Sequence, residues 1–225
     1  MPELMNAGET DLDFSEVVKY LDPLEIRDET KYHVSTLVNE AAQLNDWRDP
    51  TSGKNQWYDP NAPDVPAFTS LANMGRVAEH MFRPIVQQLV TMGGYQFLPQ
   101  KVCEKQEIIG TLDGLIYKED IEEPFAVVEM KSKWAQPYDP RTNPKWMSQV
   151  MAYLYMQENE CTRAWMPIMF LPRPNQDSNW VTHIQTFLFK LEFTPAELKS
   201  NWNLLLNARD ALVDQYKNER EEEIA

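Results

Sequence analysis

The sequence predicts an α/β protein in which a central mixed β-sheet is flanked by helices. Residues 95–106 have the pattern of an irregular strand, with Pro99 marking an edge or a bulge, and residues 107–117 and 125–133 have the pattern of two neighbouring strands joined by a polar turn. The third begins with the apolar run Phe125 to Val128, which is typical of a strand buried on both faces in mid-sheet. Helical patterns precede and follow these strands, so helices are expected on the faces of the sheet.

Two helices are expected before the strands, besides a short one at residues 14–21. In residues 31–43 the apolar positions recur at i, i+3, i+4 and i+7, at Val34, Leu37, Val38 and Ala41. Residues 70–92 repeat this pattern, and Pro84 is expected to kink or split that helix. Between the two, residues 45–68 contain four prolines and predict a long irregular loop, of a kind that often covers a site.

The C-terminal part predicts a helix at 145–159, strands at 163–171 and 180–193, and a final helix. Thr194 is expected as the N-cap of that helix and Glu197 as its capping-box partner, with Pro195 at the first helical position. We therefore divide the chain into an N-terminal helical and loop extension, residues 1–69, and a core with a C-terminal helix, residues 70–225.

Composition limits the class of protein. The chain has 225 residues, is 43% hydrophobic, and contains no apolar run of about 18 residues that would span a membrane. The acidic N-terminus lacks a signal pattern, so we expect a cytoplasmic protein, in the host cytoplasm if viral. Cys103 and Cys161 lie far apart, and two thiols alone hold neither zinc nor an iron–sulfur cluster.

Charge is unevenly distributed along the chain. The net charge is −14, of which residues 1–30 carry −7 (nine acids, two bases) and residues 214–225 carry −3 (five acids, two bases). Residues 131–173 carry six bases and three acids, a net charge of +3. A locally basic segment in an acidic chain is compatible with a phosphodiester substrate without requiring one.

The residues that bear chemistry lie on two of the predicted strands. Glu129 and Lys131 are two apart and share a face, whereas Met130 points to the other side. Asp113 precedes Gly114, where a strand can bend, and pairing of the two strands would bring Asp113 close to Glu129. Two adjacent carboxylates need a proton or a cation between them, and their oxygens suit Mg²⁺ or Mn²⁺. A charged pair on a strand more commonly faces solvent, so the neighbouring sequence has to distinguish a functional site from a surface ion pair.

That context includes a resemblance to a known family. Asp113 followed by Glu129-Met130-Lys131 resembles the D…(D/E)XK signature of the PD-(D/E)XK nuclease superfamily. Gln149 and Tyr153, four apart on one face of the next helix, are similar to the QxxxY motif of its RecB-like branch, which includes lambda exonuclease-like members. The resemblance spans roughly residues 70–190, and the iron–sulfur subset is excluded because only two cysteines are present.

The resemblance also covers an upstream helix. The segment Gly75-Arg76-Val77-Ala78-Glu79-His80 is similar to one in which a glycine precedes a metal-binding histidine or glutamate. The family spacing of glycine plus four falls on Glu79, and His80 comes one residue later. We favour Glu79, and His80 stays open as the alternative.

The resemblance implies a restriction-endonuclease-like core and a metal-dependent DNA nuclease, an exonuclease of recombination, repair or phage DNA metabolism. Asp113 and Glu129, with Glu79 or His80 and the backbone carbonyl of Met130, would bind Mg²⁺ or Mn²⁺. Lys131 would position the attacking water, and Gln149 and Tyr153 would support Lys131 and the substrate strand. Relatives form rings, so a homo-oligomer is compatible with this assignment.

Two questions stay open at this stage. Trp134, Tyr138 and Trp146 are interleaved with basic residues, and either stack on a single strand or pack beneath a loop; the basic candidates are Arg76, Arg83, Lys133, Arg141, Lys145, Arg163 and Arg173. The alternative function is a non-catalytic nucleic-acid- or protein-binding module on the same fold.

Overall fold

The computed structural model describes residues 31–47, 71–119, 121–134, 137–157, 161–171 and 185–224. The predicted helix at 14–21 and most of the predicted loop at 45–68 lie outside these residues. In chain order the elements are β1 (Tyr32–His33), α1 (Val34–Leu44), α2 (Leu71–Met92), β2 (Tyr95–Lys105), β3 (Ile108–Lys118), β4 (Pro124–Val128), β5 (Lys131–Trp134), a 3₁₀ turn (Pro140–Thr142), α3 (Pro144–Met156), β6 (Arg163–Leu171), β7 (Gln185–Glu192) and α4 (Pro195–Ile224).

The seven strands form one mixed sheet, which confirms the predicted fold class. β3 pairs antiparallel with β2 and β4 and parallel with the short β1. β6 pairs parallel with β4 and β5 and antiparallel with β7. One edge of β6 pairs with β7, so β4 and β5 both pair with its other edge, one after the other along the strand. The edge strands β2 and β7 lie on opposite sides of the sheet.

The predicted strand at residues 125–133 is wrong in one respect, because it is two strands interrupted at Glu129 and Met130. Pairing with β3 ends at Gly114 opposite Val128. The amide of Glu129 still bonds the carbonyl of Trp165 on β6 (3.1 Å), but the amide of Met130 donates to the Asp113 carboxylate (2.6 Å). The interruption therefore arises where a side chain replaces a backbone carbonyl as the acceptor.

Helices cover both faces of the sheet in the described part of the chain. The larger cluster of buried residues lies between the sheet and α1, α3 and α4, and the smaller lies between the sheet and α2. Ala126 and Val128 belong to the smaller cluster and Val127 to the larger, and all three are fully buried. This two-sided burial explains the continuous apolar run in the sequence.

The α2 helix runs through Pro84 as one element, so the expected split does not occur. Phe82, Val86 and Val90 pack into the smaller cluster on both sides of the proline. Tertiary packing of this kind supplies most of the stability of a helix and compensates for the hydrogen bond that proline removes. No helix in the described ranges is long and apolar enough to cross a membrane.

The central strand reverses its faces next to Asp113. Leu112 and Leu115 both belong to the larger cluster, although regular alternation would place them on opposite faces. Opposite Asp113, Gln100 of the edge strand β2 has a φ of +41°, a left-handed conformation that few side chains adopt. A Cβ on Gly114 would lie 2.4 Å from the ring of Phe97, so only glycine fits beside this twist. The predicted irregularity of β2 is thus confirmed.

The predicted capping box of the last helix is also confirmed. The amide and hydroxyl of Thr194 donate to the Glu197 carboxylate (2.7 and 2.8 Å), and the amide of Glu197 donates to the Thr194 hydroxyl (3.2 Å). The α4 helix continues for 30 residues. Its N-terminal half packs against the core through Leu198, Trp202, Leu205 and Ala208.

Candidate active site

Asp113 is a residue of β3 and lies beside the interruption between β4 and β5. Continuing the register past Gly114 and Val128 places Asp113 directly opposite Glu129. The 2.6 Å hydrogen bond from the Met130 amide holds the Asp113 carboxylate at the peptide that follows Glu129. Hydrogen bonds to an ionised carboxylate are stronger than neutral ones, so this contact fixes the direction of Asp113. The pairing of strands brings the two predicted carboxylate residues together.

Glu129 and Lys131 share a face, as alternation predicts, and Met130 is fully buried on the opposite face in the smaller cluster. The Lys131 ammonium donates to Glu129 Oε1 at 2.5 Å. The Lys131 side chain is 15% exposed and that of Glu129 is 4% exposed. Because a buried charge is costly without its partner, removal of either residue leaves the other in an unfavourable environment.

Lys131 also contacts the helix that follows. Its ammonium donates to Gln149 Oε1 (3.0 Å), and Gln149 Nε2 donates to the Tyr153 hydroxyl (3.0 Å). Gln149 and Tyr153 are one turn apart in α3, so a single helix face presents both. The result is a continuous chain of hydrogen bonds from Glu129 through Lys131 and Gln149 to Tyr153.

Gly110 has a role that the sequence analysis missed. A Cβ at this position would lie 2.6 Å from Cε1 of Tyr153 and 2.9 Å from Cγ2 of Val34. Tyr153 is only 3% exposed and its ring packs directly on the backbone of β3. A glycine inside a strand signals such a close approach, but it does not identify the partner.

Two contacts fix the helix that carries Gln149. The side chain of Asn143, the N-cap of α3, accepts from the amide of Trp146 (3.3 Å). From the other side, Asn201 of α4 donates to the carbonyl of Ser148 (2.9 Å). Gln149 therefore meets Lys131 from a helix that is capped and anchored.

The candidates for the upstream metal ligand lie on α2. The backbones of Gly75, Arg76 and Glu79 belong to α2, but their side chains lie outside the described part, and His80 is exposed. Among the described residues no three histidine, cysteine or acidic side chains form a group that could hold a metal ion. The described carboxylates of Asp113 and Glu129 and the Met130 carbonyl are hard oxygen donors of the kind that Mg²⁺ and Mn²⁺ prefer, so their chemistry fits such an ion.

The described basic residues that were candidates for binding a nucleic acid do not form one cluster and have different partners. Arg163 pairs with Glu192 (3.4 Å), and its guanidinium lies 5.0 Å from the ring centroid of Phe125, which packs against the smaller cluster, so Arg163 is on the face of the sheet opposite Lys131. Arg141 pairs with Asp139 (2.6 Å), and its guanidinium holds the pKa of that carboxyl below its usual range. Lys145 donates to Asn39 (3.1 Å). The Trp134 side chain and Arg173 lie outside the described part.

Solved structures with a similar chain path include exonucleases. An alkaline exonuclease (LHK-Exo) from Laribacter hongkongensis aligns with a TM-score of 0.47 at 11% identity, over 87% of this chain and 95% of that chain. LHK-Exo in complex with dAMP aligns with a TM-score of 0.43 at 13% identity, over 87% and 95%. A phage-related exonuclease from Haemophilus somnus 129PT aligns with a TM-score of 0.44 at 15% identity, over 83% of each chain.

No family model and no curated protein sequence matches the chain.

Proposed function

We propose that this protein is a metal-dependent DNA nuclease that hydrolyses phosphodiester bonds, acting as an exonuclease. One observation carries the proposal. Lys131 is held between the Glu129 carboxylate and the Gln149 amide, at the same strand interruption to which the Asp113 carboxylate is bonded. A role in recombination, repair or phage DNA metabolism follows from the resemblance of these motifs to the RecB-like nucleases.

The metal would be held by Asp113 and Glu129, with the Met130 carbonyl and either Glu79 or His80. Mg²⁺ binds through few protein ligands and keeps several waters, so two carboxylates are a sufficient protein anchor. When bound, such an ion supplies a nucleophilic water at neutral pH and neutralises charge on the phosphate. The two carboxylates come from different strands, so the geometry of the pair depends on the register of β3 with β4.

The chain's own residues then orient the reaction. The Lys131 ammonium donates hydrogen bonds, and it would position the attacking water and stabilise charge that develops on the phosphate oxygens. Gln149 restricts where that ammonium lies, and Tyr153 restricts Gln149. Preorganised donors of this kind do not have to reorient during the reaction, which is why the support of Lys131 matters for the rate.

The test is a cleavage assay on end-labelled single-stranded and double-stranded DNA. We expect degradation in Mn²⁺ or Mg²⁺, no cleavage in EDTA, and recovery when Mn²⁺ is added in excess. A ladder that shortens from one end identifies an exonuclease, and internal products identify an endonuclease. Metal-independent cleavage would contradict the proposal, whereas DNA binding without cleavage would support the non-catalytic module.

A further inference from the structure

An exposed aromatic residue lies in the same row of the sheet as the candidate catalytic lysine. Lys131 of β5 is in register with Ile168 of β6, which is in register with Phe187 of the edge strand β7. Neighbouring strands are about 4.8 Å apart, so the backbone of Phe187 lies about 10 Å from that of Lys131. Ile168 belongs to the larger cluster, and so does Phe170, whose ring contacts that of Phe187. Lys131 and Phe187 therefore lie on the same face of the sheet, the one covered by α3.

Phe187 belongs to a row of five aromatic rings, each in contact with the next. We call them the aromatic strip: Trp146, Tyr138, Phe170, Phe187 and Phe189. The centroid distances are 5.6 Å from Trp146 to Tyr138, 5.6 Å from Tyr138 to Phe170, 5.9 Å from Phe170 to Phe187 and 6.2 Å from Phe187 to Phe189. Phe170 is buried (2% exposed) and anchors the strip, whereas Phe187 is 41% exposed.

Contacts within the protein hold two rings of the strip, those of Tyr138 and Trp146, in place. Tyr138 stacks on Trp146 with an interplanar angle of 21°, and its hydroxyl accepts from Asn143 (3.3 Å). The same asparagine caps α3, which carries Gln149. A ligand seated on this strip is therefore held in a defined position relative to the candidate active site.

The charge beside the strip favours a polyanion. Residues 131–157 carry four bases (Lys131, Lys133, Arg141, Lys145) and one acid (Asp139), a net charge of +3 in a chain of −14. Lys133 is in register with Phe170 and on the same face as Lys131, and Lys145 precedes Trp146 in the first turn of α3. Fixed aromatic rings flanked by lysines are the arrangement that binds single-stranded nucleic acid, because unpaired bases stack and phosphates pair with the cations. Bases inside a duplex are already stacked on one another and present no free face.

We propose that the aromatic strip, with Phe187 as its exposed ring, binds unpaired bases of a single-stranded segment beside the candidate active site. The proposal rests on the proposed function for the meaning of that site, but strand binding can be measured without cleavage. It extends the proposed function by naming the state of the substrate, a strand whose bases are unstacked.

The edge strand offers a matched control. Leu188 is also 41% exposed, and it follows Phe187 directly, so its side chain lies on the opposite face of the sheet, away from the strip. Phe187→Ala and Leu188→Ala remove similar amounts of exposed apolar surface from the same strand. Only the first removes a ring from the proposed strand path.

The experiment measures the affinity of a labelled 20-nucleotide oligodeoxythymidine by fluorescence anisotropy in EDTA, so that no cleavage occurs. Stacking of a base on an aromatic ring is worth about 1–3 kcal/mol, so Phe187→Ala should weaken binding about fivefold to 150-fold. Leu188→Ala should stay within about twofold of wild type, and Phe187→Trp should retain binding while Phe187→Leu should not. Equal affinities for Phe187→Ala, Leu188→Ala and wild type would overturn the proposal.

Two further outcomes separate the possible failures. If wild type never cleaves DNA but Phe187→Ala selectively loses the oligonucleotide, the proposed function fails and the strand-binding inference stands. If wild type cleaves and Phe187→Ala binds the oligonucleotide normally, the inference fails and the proposed function stands. Loss of self-association in Phe187→Ala at unchanged oligonucleotide affinity, measured by sedimentation, would identify a protein interface instead and overturn the proposal.

Discussion

At the scale of single residues, the site depends on how one ammonium is confined. Lys131 is nearly buried, and its Nζ is bonded to Glu129 and to Gln149. A lysine side chain has four rotatable bonds and loses much rotamer freedom when fixed. Two acceptors at once, one of them charged, offset that loss and direct the donor towards the carboxylate pair.

We expect Tyr153→Phe to lower the cleavage rate about twofold to 13-fold, because it removes one hydrogen bond of about 0.5–1.5 kcal/mol while the ring stays packed on Gly110. Gln149→Ala should cost more, since Lys131 then loses an acceptor directly. Steady-state kinetics that give separate kcat and KM values test this. An effect on KM alone, with kcat unchanged, would argue that neither residue positions Lys131.

Gly110→Ala should destabilise the protein by about 1–3 kcal/mol, the usual cost of overpacking a core. The new methyl group would meet the Tyr153 ring and Val34 at distances that no real Cβ tolerates. Displacement of Tyr153 should also lower activity through Gln149. Urea unfolding and cleavage rates measured together test this, and wild-type stability in the variant would show that the ring moves freely.

At the scale of elements, the strand interruption could not be predicted. Phe125 to Val128 and the following residues form one continuous strand pattern in the sequence. The break arises from a hydrogen bond between Asp113 and Met130, which are 17 residues apart in the chain. The reversal of faces beside Asp113 likewise depends on the packing of Phe97 against Gly114. The local sequence pattern predicts which residues form strands, whereas contacts between residues far apart in the chain determine where a strand is interrupted.

Other elements could be predicted because their determinants are local. The capping box needs only Thr194 and Glu197 at a fixed spacing, and the structure has both reciprocal bonds. The approach of Asp113 to Glu129 followed from the pairing of two adjacent strands. The contact of Gln149 with Lys131 followed from a motif resemblance, and nothing in the local pattern around either residue would have shown it.

The capping box predicts a pH dependence. The bonds from Thr194 lower the pKa of Glu197 below its usual 4.5. A lowered carboxyl pKa gives stability that is present above pH 4.5 and is lost as pH falls through the folded-state value. Wild type should therefore melt at a higher temperature than Glu197→Gln at pH 7, and the difference should vanish in acid. A difference that does not change with pH would contradict this assignment.

At the scale of the whole molecule, an acidic chain presents a basic segment beside its candidate site. The chain's own negative charge repels a polyanion at long range, so binding should depend on close contacts and fall as salt rises. For a single strand, each neutralised phosphate contributes about 0.7 to the slope of log K against log salt.

Lys145→Gln should reduce that slope by about 0.7 for the single-stranded oligonucleotide, because one phosphate contact is lost. Lys217→Gln, on the exposed far part of α4, removes the same charge at a distance from the site and should leave the slope unchanged. Anisotropy titrations at several KCl concentrations test both. Equal slopes in all three proteins would place Lys145 outside the strand path.

The most direct test of the central claim is the single-turnover cleavage rate of Lys131→Ala in Mn²⁺, with circular dichroism to establish folding and Lys217→Ala as the control. Removing one preorganised donor to a developing charge costs about 100-fold to 1,000-fold in rate. We therefore predict that Lys131→Ala folds and loses at least about 100-fold in rate, while Lys217→Ala cleaves normally. A folded Lys131→Ala variant that cleaves at the wild-type rate would contradict the account.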